Sequence, residues 1–169
     1  MTLEGSSHRP RHQAYREIVG RLAKDHGIRV IFHKRGAQLG RAGLEEKIVY
    51  IPEMRSFTSF FTGLHEIGHI LSRHRANDRR PKYLWEYEAF KWAWDYAEGR
   101  GMKVPSRTLE YEKSLLAERI HEAVLDGKRQ IDPAVAQLVR SSRLKDPDVV
   151  FVKKYVSDGG AVSKQFGRR

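Results

Sequence analysis

The sequence contains no cysteine. This absence excludes disulfide bridges, thiolate nucleophiles and cysteine-based zinc sites, and it fits a cytoplasmic protein. Long apolar segments are also missing, since no run approaches the roughly 20 residues that span a bilayer. The first residues lack the apolar core of a secretory signal, which predicts that the protein is not exported. We therefore expect a cytoplasmic protein without a membrane partner.

Acidic residues are scarce relative to basic ones. The chain has 21 Asp and Glu against 32 Lys and Arg, a formal net charge of +11 in 169 residues. Such an excess attracts polyanions without choosing among them, so DNA, RNA or an acidic protein partner would fit. A role in solubility alone fits equally well. The length indicates a single domain that can bury a substantial core.

A helical spacing of apolar residues recurs along most of the chain. Ser106 and the Asp132-Pro133 pair are typical of helix starts. The stretch at 148–156 fits either a strand or a helical turn. Helices are predicted at residues 12–26, 56–72, 83–98 and 106–126, with a further short helix from residue 133.

Between the first two helices, apolar and polar residues alternate, which predicts strands. One strand is expected at 28–33, and two more around 38–40 and 47–52. Because the connections are short, we expect these strands to pair in an antiparallel sheet. The predicted fold is α+β, with a small antiparallel sheet packed on a helical bundle that carries the helix at 56–72.

The stretch LHEIGHI at 64–70 contains the pattern H-E-x-x-H. On a helix, His65 and His69 lie on the same side, one turn apart, where their imidazoles can bind one metal ion. Glu66 next to them is the general base of this motif. Both histidines flank the apolar stripe of their helix rather than interrupting it. The pattern therefore predicts a metal site at the edge of the core.

Without cysteine, the third ligand must be another histidine or a carboxylate. The segment WEYEAFKWAW offers Glu86 and Glu88, which point to opposite sides of a helix. Glu86 lies on the apolar face, where an isolated charge would be costly without a partner such as a metal. This favours Glu86, while Glu88 remains the alternative. Three protein ligands leave a position for water, as in catalytic zinc sites.

Two segments resemble the ImmA/IrrE family of metallopeptidases, namely SFTSFFTGLHEIGHILSRH and EYEAFKWA. The resemblance covers roughly residues 12–98. It implies a gluzincin-like, minimal zincin domain in which His65, His69 and Glu86 hold Zn²⁺ and Glu66 is the catalytic base. The chain departs from the family at Phe90, where the family has Asn or Asp, and at AEGRGMKVP, which replaces L-L-M-P.

The resemblance implies a cytoplasmic zinc endopeptidase whose substrate is a transcriptional regulator, often a repressor of a phage or another mobile element. We expect the zinc metallopeptidase-like domain at 8–128, and at 129–169 a basic extension with a short helix and a mobile tail. Cations at Lys153, Lys154, Lys164, Arg168 and Arg169 and in the loop 73–82 also fit a surface for nucleic acid or for an acidic substrate.

Two other functions remain open. In one, the domain is a non-catalytic zinc scaffold that binds nucleic acid or a protein partner. In the other, it belongs to a toxin–antitoxin or phage system in which proteolysis is vestigial. The sequence does not identify substrate-binding residues or an oligomeric state. It offers several candidate donors for a reaction oxyanion: Tyr83, Tyr87, His74, Tyr111 and His121.

Overall fold

The computed structural model describes residues 11–33, 40–75 and 77–160. The chain divides into two compact units, Met1–Ala76 and Asn77–Arg169. Within the described residues, the first unit contains a sheet and two helices, and the second contains four helices. In chain order, the elements are α1 (Arg11–Asp25), β1 (Arg29–His33), β2 (Arg41–Gly43), β3 (Ile48–Pro52), α2 (Phe57–Leu71), α3 (Lys82–Gly99), α4 (Ser106–Leu125), α5 (Pro133–Arg140) and α6 (Pro147–Ser157).

The sheet of the first unit has the strand order β1-β3-β2. β1 runs parallel to β3, with Val30 opposite Val49, whereas β2 runs antiparallel to β3, with Ala42 opposite Val49. The α+β fold class is therefore confirmed, but the expectation of a wholly antiparallel sheet is wrong. Short connections suggested that each strand would pair with the next; β2 does pair with β3, but β1 pairs with β3 instead of β2. The neighbour of β1 is therefore a strand that runs parallel to it.

Helices α1 and α2 pack together, and α2 also covers β3 and β2. Tyr15 of α1 stacks on Phe60 of α2, with ring centroids 4.5 Å apart. Gly63 permits close packing of α2 on the segment that contains β3, because a Cβ there would lie 2.8 Å from Met54 Cε and 3.3 Å from Ile51 Cδ1. The core of this unit consists of apolar side chains: Val19, Leu22, Ala23, Ile28, Ile48, Val49, Ile51, Met54, Phe60, Phe61, Leu64 and Ile67.

The second unit is built around α4, which contacts α3, α5 and α6. Asp132 caps α5 through the backbone N–H groups of Ala134 and Val135, as the sequence predicts. Asp146 caps α6 in the same way, so the stretch at 148–156 is helical. The core contains Tyr83, Leu116, Ala117, Ile120, Val124, Val135, Val139, Val149, Val152 and Tyr155.

The expected domain boundary at residue 128 stays a prediction. The proposed mobile tail falls largely on residues 161–169, which lie outside the described residues. Among the helices in the described part of the chain, none is both long and apolar enough to cross a membrane.

Candidate metal centre

Helix α2 brings His65 and His69 together, with 3.1 Å between their Nε2 atoms. Two nitrogens bound to one tetrahedral zinc ion at 2.0–2.1 Å would be roughly 3.3 Å apart. The observed separation is close to that value, and it also suits a hydrogen bond between the rings. The separation therefore fits two ligands of one ion.

The position of this pair follows from how α2 forms. Ser56 starts the helix by accepting a hydrogen bond from Ser59 N, while Ser56 N donates to Ser59 Oγ. From this start, the apolar stripe of α2 is buried and the histidines lie at its edge. His65 is only 6% exposed, and His69 is half-buried. Partial burial limits competition from water for a bound ion.

Glu86 of α3 completes a group of three residues that could hold a metal ion. Each offers one ligand atom, and these nitrogen and carboxylate oxygen atoms of His65, His69 and Glu86 all lie within 4.8 Å of one another. Two neutral imidazoles and one carboxylate form the donor set of a catalytic zinc site, so these residues fit such an ion. The identity of the metal remains a prediction.

The alternative ligand, Glu88, lies in a different environment. Its Oε1 accepts a hydrogen bond of 2.6 Å from Arg80 Nη1, and Arg80 also binds Asp78. The hydrogen bond with Asp78 and then that with Glu88 raise the pKa of Arg80 above its ordinary value. Glu88 therefore neutralises an arginine on the exposed side of α3, and Glu86 is the carboxylate that joins the histidines.

Glu66 lies against the backbone at Gly40, directly before β2. The side chain is only 8% exposed. A Cβ on Gly40 would lie 2.5 Å from Glu66 Cγ and 2.8 Å from its Cδ, so no larger residue fits without moving the carboxylate. The strand predicted around residues 38–40 lies mostly outside the described residues, and the sequence did not indicate this contact. A glycine beside a strand is the available signal, because it often marks a close approach of the backbone.

Two of the candidate oxyanion donors have other contacts in the second unit. The hydroxyl of Tyr83 accepts a hydrogen bond from Asp132 N at 3.2 Å and lies in the helical core. The ring of His121 stacks on Phe151, and its Nδ1 is 2.6 Å from Asp148 Oδ1. These contacts give Tyr83 and His121 structural roles within the second unit.

Of the other three candidates, Tyr87 lines a groove of about 470 Å³ that is formed by residues of α3, α4 and α5. Tyr111 is half-buried on α4. His74 contacts His69 through a ring nitrogen. The oxyanion donor therefore stays unassigned.

The cations of the loop 73–82 have different surroundings. Arg75, Arg79 and Lys82 are exposed, whereas Arg80 is held by two carboxylates. In the C-terminal region, Lys153 Nζ donates a 2.6 Å hydrogen bond to Ser142 O, which gives it a structural contact. The tail cations Lys164, Arg168 and Arg169 lie outside the described residues. Binding of nucleic acid or of an acidic segment by these surfaces stays a prediction.

Comparisons of this chain with protein-family models, curated proteins and solved structures find no match. The resemblance to ImmA/IrrE metallopeptidases therefore depends on the sequences of α2 and α3 alone, and it stays a prediction.

Proposed function

We propose that this chain is a zinc-dependent endopeptidase that hydrolyses a peptide bond in a protein substrate. The observation that carries the proposal is the grouping of His65, His69 and Glu86 ligand atoms within 4.8 Å of one another. Glu66 follows the first of these histidines on the same helix. Catalytic zinc sites have this combination of three protein ligands and an adjacent carboxylate base.

A zinc ion bound by these residues would activate water at neutral pH and polarise the carbonyl of the substrate. Glu66 then takes a proton from the attacking water and returns it to the amine of the leaving group. The backbone at Gly40 limits the space that the Glu66 carboxylate can occupy. Such restriction favours proton transfer, because a general base must remain within hydrogen-bond reach of its proton.

The sheet supports a peptide as the substrate. β2 lies at the edge of the sheet, and its first residue follows Gly40, which contacts Glu66. The backbone of an edge strand can pair with an extended peptide. A substrate paired with β2 would therefore run past the general base. The resemblance to ImmA/IrrE proteins adds a cytoplasmic regulator, such as a repressor of a mobile element, as the target.

Metal removal tests this function. Incubation of the purified protein with a cell extract is expected to create new protein N-termini, detected by mass spectrometry. Treatment with a chelator should abolish them, and added zinc should restore them, because the proposed reaction requires the ion. If no N-terminus depends on both the protein and zinc, the peptidase proposal is wrong.

Substitution of Gly40 by alanine tests the position of Glu66. The added Cβ must displace the carboxylate, and a shift of about 1 Å can reduce an enzymatic rate roughly 100-fold. We expect the rate of substrate cleavage to fall by about that factor, while zinc affinity, measured by competition with a chelator, stays unchanged.

Gly20→Ala is the matched control, since a Cβ at Gly20 of α1 meets nothing within 4 Å. This change should leave the cleavage rate unchanged and stabilise the fold by about 0.5–1 kcal/mol. Wild-type cleavage by the Gly40→Ala protein would contradict the assigned role of this contact.

A further inference from the structure

The end of helix α2 positions one more histidine at the metal centre. After Leu71, the chain turns at Ser72 and Arg73, and Arg73 has a φ of 57°, in the left-handed region. The N–H of Arg73 donates to Ile70 O at 3.1 Å, and that of His74 donates to His69 O at 3.3 Å. These two bonds form a Schellman motif, which places the side chain of its last residue against that of its first.

In this motif the last residue is His74 and the first is His69. Their Nδ1 atoms are 3.0 Å apart, and their ring centroids are 5.1 Å apart. His74 is only 4% exposed. The contact is therefore a partly buried hydrogen bond between imidazoles, and it is local to the first unit. Because Nδ1 of His69 is engaged in this way, its Nε2 is the nitrogen that faces His65.

We propose that His74 is a positioning residue for the metal centre, acting through His69. A ligating Nε2 must present its lone pair to the ion, so the proton of His69 belongs on Nδ1. His74 Nδ1 then accepts a hydrogen bond from the Nδ1–H of His69. This hydrogen bond fixes both the tautomer and the ring orientation of His69. Ligating histidines commonly have such a partner, whose loss lowers metal affinity about 10–100-fold.

In this chain, a partner for the ligand His69 comes from the end of the helix that carries it. The inference rests on the metal-binding part of the proposed function and does not require proteolysis.

Titration with Co²⁺ tests the proposal, because the visible absorption of bound Co²⁺ reports both affinity and ligand geometry. We expect His74→Ala to weaken Co²⁺ and Zn²⁺ binding by about 10–100-fold and to alter the Co²⁺ spectrum. His74→Asn keeps an acceptor oxygen near the place of Nδ1, and it should restore affinity to within a few-fold of wild type. His26→Ala, at an exposed histidine of the same unit, should change nothing.

A variant of the turn distinguishes the positioning role of His74 from an effect on folding. Arg73→Gly retains His74 and relieves the strained φ, so it should preserve metal affinity while stabilising the turn. Equal affinity in the His74→Ala and wild-type proteins would overturn the proposal, as would equal losses in His74→Ala and His74→Asn. A wild-type protein that binds neither ion would overturn it together with the metal centre. Weaker binding by His74→Ala without any detectable peptide cleavage would support His74 and refute only the peptidase function.

Discussion

Replacement of Glu66 by glutamine is expected to reduce peptide hydrolysis by about 10²–10⁴-fold, the usual contribution of a general acid–base group. Glutamine has nearly the same shape as glutamate, so it still fits against Gly40. Its neutral amide cannot take the proton from water. Because Glu66 is not among the three residues grouped as ligands, zinc affinity should stay within a few-fold of wild type.

The matched control is Glu45→Gln, which removes one negative charge from an exposed turn of the same unit. Its cleavage rate and zinc affinity should equal those of the wild type. The comparison also separates the proposed enzyme from a non-catalytic scaffold. A Glu66→Gln protein with full activity in cells would refute the peptidase mechanism and favour a binding function for the same metal centre.

Replacement of Glu86 by glutamine is expected to weaken zinc binding by at least about 100-fold, more than the loss of a residue that only orients a ligand. The reason is that a charged oxygen ligand becomes a neutral amide, which binds zinc poorly. Peptide cleavage should fall with zinc occupancy and recover partly at high zinc concentration. Competition with a chromogenic chelator measures the affinity.

Glu88→Gln is the control for this change, because Glu88 lies two residues away on the same helix. It loses an ion pair with Arg80 in which both side chains are more than a third exposed, and such surface pairs contribute about 0–1 kcal/mol. Zinc affinity should therefore not change. If Glu88→Gln weakened binding and Glu86→Gln did not, the assignment of the third ligand would be wrong.

The helices were predictable because their signals are local. The apolar stripe of α2 and the Asp132-Pro133 start of α5 appear in the sequence within one turn of the structure that they determine. Helix α4 does begin at Ser106, but Pro105 occupies the cap position and no side chain caps the helix, so the expected role of Ser106 as a cap is wrong. The pairing of the strands was less predictable, since the alternation of apolar and polar residues identifies a strand but not the strand that pairs with it. The parallel pairing of β1 with β3 depends on contacts between residues distant in sequence.

The same distinction between local and tertiary signals applies to the candidate site. The spacing of His65 and His69 is a property of one helix, and it could be predicted from sequence alone. Gly40 and His74 could not be assigned in this way. The contact of Gly40 with Glu66 is tertiary, and the turn that positions His74 requires a left-handed conformation at an arginine, where glycine would be the usual signal.

Determination of the zinc content of the purified protein tests the central claim most directly. After reconstitution with zinc and removal of excess ion, the wild-type chain should retain one zinc ion, because two imidazoles and a carboxylate are grouped to bind it. A double variant, His65→Ala with His69→Ala, should retain none. Equal zinc content in the two proteins would contradict the existence of this metal centre.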